Sequence, residues 1–435
     1  MVAVRCQVRG RRRPSWWPEL DGGAGRPAGN GPRALRVLLF STLYPSSARP
    51  GHGVFVETRL RELLAGGGVQ VKVVAPVPWF PSTDPRHGER ARMAATPRAE
   101  TRHGIEVLHP RYLLPPRIGQ NIAPFVLALG AWGTLRRLRR QGFDFDLIDA
   151  HFYYPDGVAA ALLARLLGKP LVVTARGSDL NVFGRDALPR ALMRWTSRVA
   201  AASVGVCQAL VDILRGWGAD PARLHVMRNG VDTRRFHPVP QAQARQQLGL
   251  HGAPLLMSVG HLVDVKGHDL TIDVLALVAQ RMPGARLCFV GDGPLRQPLQ
   301  AQATALGLAE RVHFAGAVPN EQLASWFSAA DVTVLASRSE GWANVLLESM
   351  ACGTPVVATA VGGTAEVVAD ACAGVVVQQR DAASLAAAVL RLLAAPPARH
   401  AVRAYAEGFS WRDTSIAQRR LFQDIVGQRQ AGMPG

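Results

Sequence analysis

The sequence is short of cysteine, of acidic residues and of long apolar runs, and each shortage removes a class of protein. Five cysteines, Cys6, Cys207, Cys288, Cys352 and Cys372, stand in 435 residues. Their odd number and their spacing fit neither a disulfide framework nor a zinc site. All but Cys6 lie in apolar stretches, as buried free thiols do in a reducing cytoplasm. The longest apolar candidate, residues 122–135, has about 14 residues against the ~20 that a membrane span needs. The first 33 residues hold seven arginines against Glu19 and Asp21, with much glycine and proline. That is no secretory signal; it reads as a disordered basic extension or as a start codon placed too early. Aspartate and glutamate number 32 against 50 lysines and arginines, a formal charge of +18. Without zinc-finger spacing, an RNA-binding aromatic motif or a basic helix-turn-helix, this charge does not read as nucleic-acid binding. Attraction to an anionic membrane surface or a phosphorylated substrate and the solvated charge of an arginine-rich genome both stay open.

Apolar residues make up 48% of the chain, enough for sizeable cores, and the length suggests two or three domains at roughly 100–200 residues each. Strand and helix signals alternate from residue 35 onward. Apolar runs bounded by turns predict buried strands at 35–40, 69–74, 147–150, 171–174 and 203–206. A second series predicts strands at 255–259, 286–290, 312–314, 332–335, 356–358 and 375–377. Helical periodicity covers 54–65, which ends at Gly66-Gly67-Gly68, and 157–167, 268–281, 294–307, 320–329, 343–352 and 364–369. Residues 76–102, rich in proline and arginine, read as an irregular surface loop, and 411–429 as a helix. This alternation predicts parallel sheets with right-handed crossovers and helices on both faces. The expected plan is the extension at 1–33, a first domain at 34–235, a linker at 236–250 and a second domain at 251–408. Residues 409–435 form a C-terminal helix and tail that packs back on the first domain. Two doubly wound, Rossmann-like sheets, each with loops at its carboxyl edge, make a cleft between them.

The strongest local signal is Glu340-Gly-Trp-Ala-Asn-Val-Leu-Leu-Glu348. Glu340 falls in the loop before a helix, and Glu348 more than a turn inside it. A helix N-terminus suits a diphosphate. Carboxylates beside it suit sugar and ribose hydroxyls, from which they accept hydrogen bonds. Lys266, in the turn Gly260-His261-Leu-Val-Asp-Val-Lys266-Gly267-His268, places a point charge for a phosphate. Gly362 and Gly363, before the helix at 364, allow close backbone approach to a ligand. In the first half, His151 ends a strand, where open α/β sheets bind ligands. Arg176-Gly177-Ser178-Asp179 ends the next strand. Gly51-His52-Gly53 opens a helix and offers amides to a phosphate. Asn229-Gly230-Val231-Asp232 is a tight turn before the linker. Each piece also reads as an ordinary turn, helix entry or solvated charge; placement at strand ends is what groups them. The DxD-like Asp144-Phe145-Asp146 precedes a strand instead of ending one, and so reads as a strand-entry turn, not a metal site.

In this order, from about residue 35 to the end, the motifs resemble glycosyltransferase family 4, whose members have the GT-B fold. Leu43-Tyr44-Pro45, Gly53-Val54-Phe55-Val56-Glu57, Ala75-Pro76, Asp149-Ala150-His151, Arg176 through Asp179, Asn229 through Asp232, Gly260 through Gly267 and Glu340 through Glu348 carry the likeness. It is nearest to the subgroup acting in bacterial cell-surface polysaccharide assembly, such as the teichuronic acid glycosyltransferases. The resemblance implies retaining transfer from a UDP- or GDP-sugar to a hydroxyl of a glycan or lipid-linked acceptor. No metal or other cofactor is implied. The catalytic residues would be His151, near the reacting carbon, Lys266, on the donor diphosphate, and Glu340, on the donor hexose. Donor binding would add Gly51 and Gly53, closing from the other domain, Arg176, Asn229, His261, Gly341, Asn344, Val345 and Glu348, the last on the ribose. Many members have an arginine where this chain has His261, so half of the usual cationic clamp is replaced. The implied location is cytoplasmic and peripheral at the inner face of the plasma membrane. Residues 122–135, followed by Arg136-Arg137-Leu138-Arg139-Arg140, offer an apolar helix with a basic end to anionic lipid; a buried helix with a solvated end is the other reading. A sugar-nucleotide epimerase of the same fold and a non-catalytic nucleotide-sugar-binding protein stay open, because fold alone does not choose the chemistry.

Overall fold

The structure, a computed structural model, describes residues 33–115 and 119–431. The expectation of disorder at residues 1–33 therefore lies outside the described residues, apart from Arg33. In the first half the strands are β1 (Leu35–Phe40), β2 (Val69–Val74), β3 (Val77–Pro78), β4 (Ala99–Arg102), β5 (Ile105–Leu108), β6 (Arg111–Tyr112), β7 (Leu147–His151), β8 (Leu171–Ala175), β9 (Ala202–Gly205) and β10 (Leu224–Val226). Eight form one sheet in the order β10-β9-β8-β7-β1-β2-β5-β4, and β3 pairs with β6. Every neighbour in the large sheet is parallel except β4 and β5. All of β7 and β8 is buried, as continuous apolar runs require in a sheet covered on both faces.

The second half adds β11 (Leu255–Val259), β12 (Arg286–Val290), β13 (Val312–Gly316), β14 (Val332–Leu335), β15 (Val356–Thr359) and β16 (Gly374–Val377). Their order is β13-β12-β11-β14-β15-β16, all parallel. That is the doubly wound order, which reverses direction between its first and fourth strands. In the first sheet the reversal lies between β1 and β7. At these two reversal points the loops after β1 and β7 and after β11 and β14 lie side by side.

Both sheets belong to one compact unit, Leu35–Gly435. Its largest apolar cluster runs through both halves, from Phe40 and Tyr153 to Val231, Trp342 and Leu346. The C-terminal helix, Trp411–Ala431, lies against the first-half helix Val54–Ala65. Its Phe422 is fully buried among Leu35, Val37, Leu63 and Leu147, a burial worth roughly 1.5–3 kcal/mol.

Two stretches depart from expectation. Residues 76–102, read as an irregular loop, contain β3, the helix Glu89–Ala95 and the edge strand β4. β4 alternates exposed and half-buried residues, so it has no apolar run to reveal it. It is joined to β5 by His103 and Gly104, both at positive φ, as a two-residue hairpin turn demands. Residues 236–250, expected to be a linker, include the helix Gln241–Leu248, which packs on the second-half helix Leu323–Ala329. Arg245 bonds Asp331 at 2.7 Å from there.

Candidate active site between the two sheets

Open α/β sheets bind ligands where strand order reverses, because the loops after the two adjoining strands part there. After β1 and β7 those loops are tied to each other. Thr42 donates its backbone N–H to Asp156 Oδ1 and its hydroxyl to Asp156 Oδ2 at 2.9 Å. Burial nevertheless pushes the Asp156 carboxyl up to about 7. After β11 and β14 the loops carry Lys266 and Glu340. Lys266 Nζ donates to Glu340 Oε1 at 2.7 Å, and Ser337 Oγ donates to the same oxygen at 2.7 Å. Gly267, at φ 66°, lies so close to the next loop that a Cβ would stand 2.1 Å from the carbonyl oxygen of Ala336. Two residues 74 positions apart thus meet because their strands are neighbours.

His151, at the end of β7, is 1% exposed. Its Nε2 lies 3.2 Å from Asp149 Oδ2 and its Nδ1 2.6 Å from an Arg176 guanidinium nitrogen. Burial pushes its pKa down to about 4 against the pull of Asp149, so the ring is neutral at pH 7. Burial also opposes the charge on Asp149, but His151, Arg59 and Arg176 outweigh it and hold that carboxyl below its ordinary value. Both ring nitrogens are engaged, so this arrangement does not present the imidazole to a sugar directly. The half-buried group at that place is Arg176, which stacks over Phe55 at 5.2 Å.

From Arg176 a hydrogen-bonded line crosses to the second half. Arg176 donates to Asn229 Oδ1 at 3.2 Å, and Asn229 Nδ2 donates to Asn344 Oδ1 at 3.2 Å. Beside it, Gly177 and Gly341 pack backbone to backbone, and Asn181 Nδ2 donates to Ser339 Oγ at 3.2 Å and to the Glu340 carbonyl at 3.4 Å. Farther along the seam, Glu366 accepts from the backbone N–H of Gln208 at 2.7 Å and pairs with Arg228. The structure therefore joins His151, Arg176, Asn229, Asn344, Gly341, Glu340 and Lys266 into one continuous patch.

Glu348 lies one turn beyond Asn344 on the helix Asn344–Ala351, on the same face. It is half-buried, and burial raises its carboxyl to about 7 although Arg235 pulls the other way. Val345 is half-buried at the helix start. Gly53, at φ 71°, caps the helix Val54–Ala65, and a Cβ there would fall 2.4 Å from the Leu43 backbone. Gly51 is exposed with open space around it, and His261 is exposed. The helices starting at Val54, His268 and Asn344 have no side-chain cap, a property they share with most of the described helices. Uncapped first-turn N–H groups are ready partners for an anion.

Among the described residues no cluster of histidine, cysteine, aspartate and glutamate is placed to hold a metal ion. Asp144 pairs with Arg139 and Lys169, and Asp146 accepts the Arg36 N–H at 2.8 Å, which are structural roles. Two residues had no role from sequence. Asp179 accepts N–H bonds from Tyr153, Arg176, Gly177 and Leu180 and so shapes the loop that carries Arg176. Gln418, on the C-terminal helix, donates to Asp149 at 3.0 Å; nothing in an amphipathic helix singles out one glutamine.

The family model described as Glycosyltransferase Family 4 matches residues 51–235, and that described as Glycosyl transferases group 1 matches residues 240–409. The chain is 33% identical to D-inositol 3-phosphate glycosyltransferase 1 of Catenulispora acidiphila, over 87% of this chain and 93% of that one. It is 31% identical to the putative teichuronic acid biosynthesis glycosyltransferase TuaC of Bacillus subtilis, over 76% and 82%. Sucrose-phosphate synthase from Thermosynechococcus elongatus has the same fold, with a TM-score of 0.74 at 23% identity over 91% of this chain and all of that one. Anabaena HepE in complex with UDP has a TM-score of 0.65 at 20% identity over 91% and 100%. These neighbours place the two facing sheets in the GT-B architecture.

Proposed function

The chain belongs to glycosyltransferase family 4, and on that premise we propose that it moves a hexosyl group, with retention, from a UDP- or GDP-sugar to a hydroxyl of a glycan or lipid-linked acceptor in cell-surface polysaccharide assembly. The observation that carries this reading is the Lys266–Glu340 pair at the reversal point of the second sheet, beside the uncapped helix Asn344–Ala351. A donor seated there has its diphosphate at Lys266 and the helix amides, its hexose at Glu340 and its ribose at Glu348. When the bond between C1 and the phosphate oxygen breaks, the electron pair goes to the diphosphate, and Lys266 and the amides stabilise that charge. The acceptor oxygen bonds C1 on the same face, and its proton passes to the departing phosphate oxygen. Closure along the Gly177–Gly341 seam excludes water and suppresses hydrolysis.

The acceptor meets the first half. The helix Gly119–Arg140 has no acidic residue. Its outward stripe runs through Phe125 and Leu129, 47% and 76% exposed, to Arg136 and Arg140. That stripe suits an anionic lipid surface holding a lipid-linked acceptor. Among the described residues no helix is long and apolar enough to cross a membrane. A phosphorylated cyclitol, as in the name of the Catenulispora relative, is a second acceptor class. The buried Nε of Arg176, which lacks a partner, favours an anionic group there.

Calorimetric titration with UDP- and GDP-sugars, followed by turnover with and without acceptor, tests the reading. Binding of a nucleotide sugar and acceptor-dependent release of the nucleotide are expected, with loss of turnover in Glu340→Ala and Lys266→Ala. Release of a free epimer without acceptor points to epimerisation instead. Unchanged binding and turnover in both variants puts the site elsewhere.

A further inference from the structure

Behind the cleft, five side chains from four separate parts of the chain form one hydrogen-bonded line. Gln418, on the C-terminal helix, links Arg59 to the rest of the line. Its Oε1 accepts from Arg59 Nε at 2.8 Å, and its Nε2 donates to Asp149 Oδ2 at 3.0 Å. A guanidinium only donates and an ionised carboxylate only accepts, so this amide has a single orientation. The same oxygen of Asp149 accepts from His151 Nε2 at 3.2 Å. That puts the ring proton on Nε2 and leaves Nδ1 to accept from Arg176 at 2.6 Å. Arg59, Gln418, Asp149 and His151 are all buried.

We propose that Gln418 is a positioning residue for the transfer site: by holding Asp149 it sets the tautomer and ring plane of His151, and through them the place of Arg176 in the cleft. The kinetic consequence rests on the transfer reading above; the geometry does not. Packing does not require an amide here, because Trp411 and Phe422 already bury the helix. A buried amide is costly unless both its ends are bonded, and here both are. Asp149 Oδ1 is buried with no partner. Without Gln418 the carboxylate keeps only His151, and nothing fixes its rotation. The Nε2 proton then loses a fixed acceptor, and Arg176 loses the Nδ1 lone pair.

Gln418→Met keeps the side chain's length and apolar contacts and removes both bonds. In the full chain with 15N-labelled histidine, the His151 signals, assigned by their disappearance in His151→Gln, are expected to show one tautomer, protonated at Nε2. In Gln418→Met they are expected to show a mixture of the two neutral tautomers. With the donor found by titration, kcat is expected to fall about tenfold while the Kd for UDP changes less than about twofold, as misplacement of a reacting group implies. An unchanged histidine spectrum together with an unchanged kcat overturns the proposal. If Gln418→Met does not fold, Gln418→Glu carries the test. It retains an acceptor for Arg59 but turns a like charge on Asp149. Loss of the single tautomer and of kcat at an unchanged Tm supports the role, and a wild-type spectrum and rate overturn it. A wild-type protein that binds no nucleotide sugar sinks the transfer reading alone, and the histidine spectra still decide on Gln418.

Discussion

Gly177 and Gly341 meet backbone to backbone where the two halves touch: a Cβ on Gly341 would lie 1.8 Å from the carbonyl oxygen of Arg176, and one on Gly177 2.6 Å from the Gly341 Cα. The residue before Gly177 is Arg176 and the residue before Gly341 is Glu340. The seam therefore sets the spacing between first-half and second-half chemistry. Any side chain at either glycine must part the backbones, since neither obstacle is a flexible side-chain tip.

Gly341→Ala is accordingly expected to fold and to bind UDP, but to lose transfer by about a hundredfold, the scale of loss when reacting groups are misplaced by an ångström. Small-angle scattering with UDP present should give a larger radius of gyration than the wild type. Equal rates would mean that the closed seam is not needed for the reaction.

Lys266 and Glu340 neutralise each other in this structure, so a diphosphate must draw the lysine away from its carboxylate. Glu340→Gln is expected to bind UDP at least as tightly as the wild type while losing transfer, because it frees Lys266 and weakens the hexose contact. Lys266→Gln is expected to weaken UDP binding about tenfold, or ~1.4 kcal/mol. Titration calorimetry with UDP separates the two; weaker binding in both variants contradicts the division of roles.

Glu348 gives a pH dependence with a definite sign. Its ordinary value of 4.5 is raised to about 7 by burial, so the folded protein holds this proton after the unfolded chain has lost it. Stability attributable to Glu348 is then greatest below 4.5 and is lost as pH rises toward 7. Glu348→Gln cannot titrate. The Tm of the nucleotide-free wild type, relative to that variant, should fall between about pH 4.5 and 7 and level off above. A difference independent of pH would show that the carboxyl ionises as in water.

The helix Gly119–Arg140 divides its two faces between core and surface. Leu127, Ala131, Leu135 and Leu138 are buried, while Phe125 and Leu129 are exposed. Replacing Phe125 and Leu129 by serine should leave the Tm nearly unchanged but reduce sedimentation with anionic vesicles. Replacing Arg136, Arg137, Arg139 and Arg140 by glutamine should abolish the salt sensitivity, at about 1 kcal/mol for each charge near the surface. Wild-type protein that does not sediment with such vesicles ends the membrane reading.

Much of the fold was legible because each strand's apolar run is a local signal. Leu35–Phe40, Leu255–Val259 and Val332–Leu335 are strands with those same ends. The edge strand Ala99–Arg102 and the helix Gln241–Leu248 were not legible. Both are short, polar and partly exposed, and tertiary pairing stabilises them where composition does not. One unread signal for the site was compositional. Only Lys72, Lys169 and Lys266 are lysines among the 50 basic residues, and a compact ammonium in an arginine-rich chain fits a site that needs a point charge.

The order of residues along the chain by itself determined which loops end at a sheet's carboxyl edge, and so which polar groups face the cleft: strand and helix periods are set by neighbours in sequence. It did not determine the partners of those groups. That Glu340 holds Lys266, that Arg176 reaches Asn229, and that a glutamine near the C-terminus grips the aspartate behind His151 were decided by tertiary structure. A hydrogen bond depends on distance in space. Burial, which turns His151 into a neutral ring engaged at both nitrogens, exists only once the sheets and the last helix have closed over it.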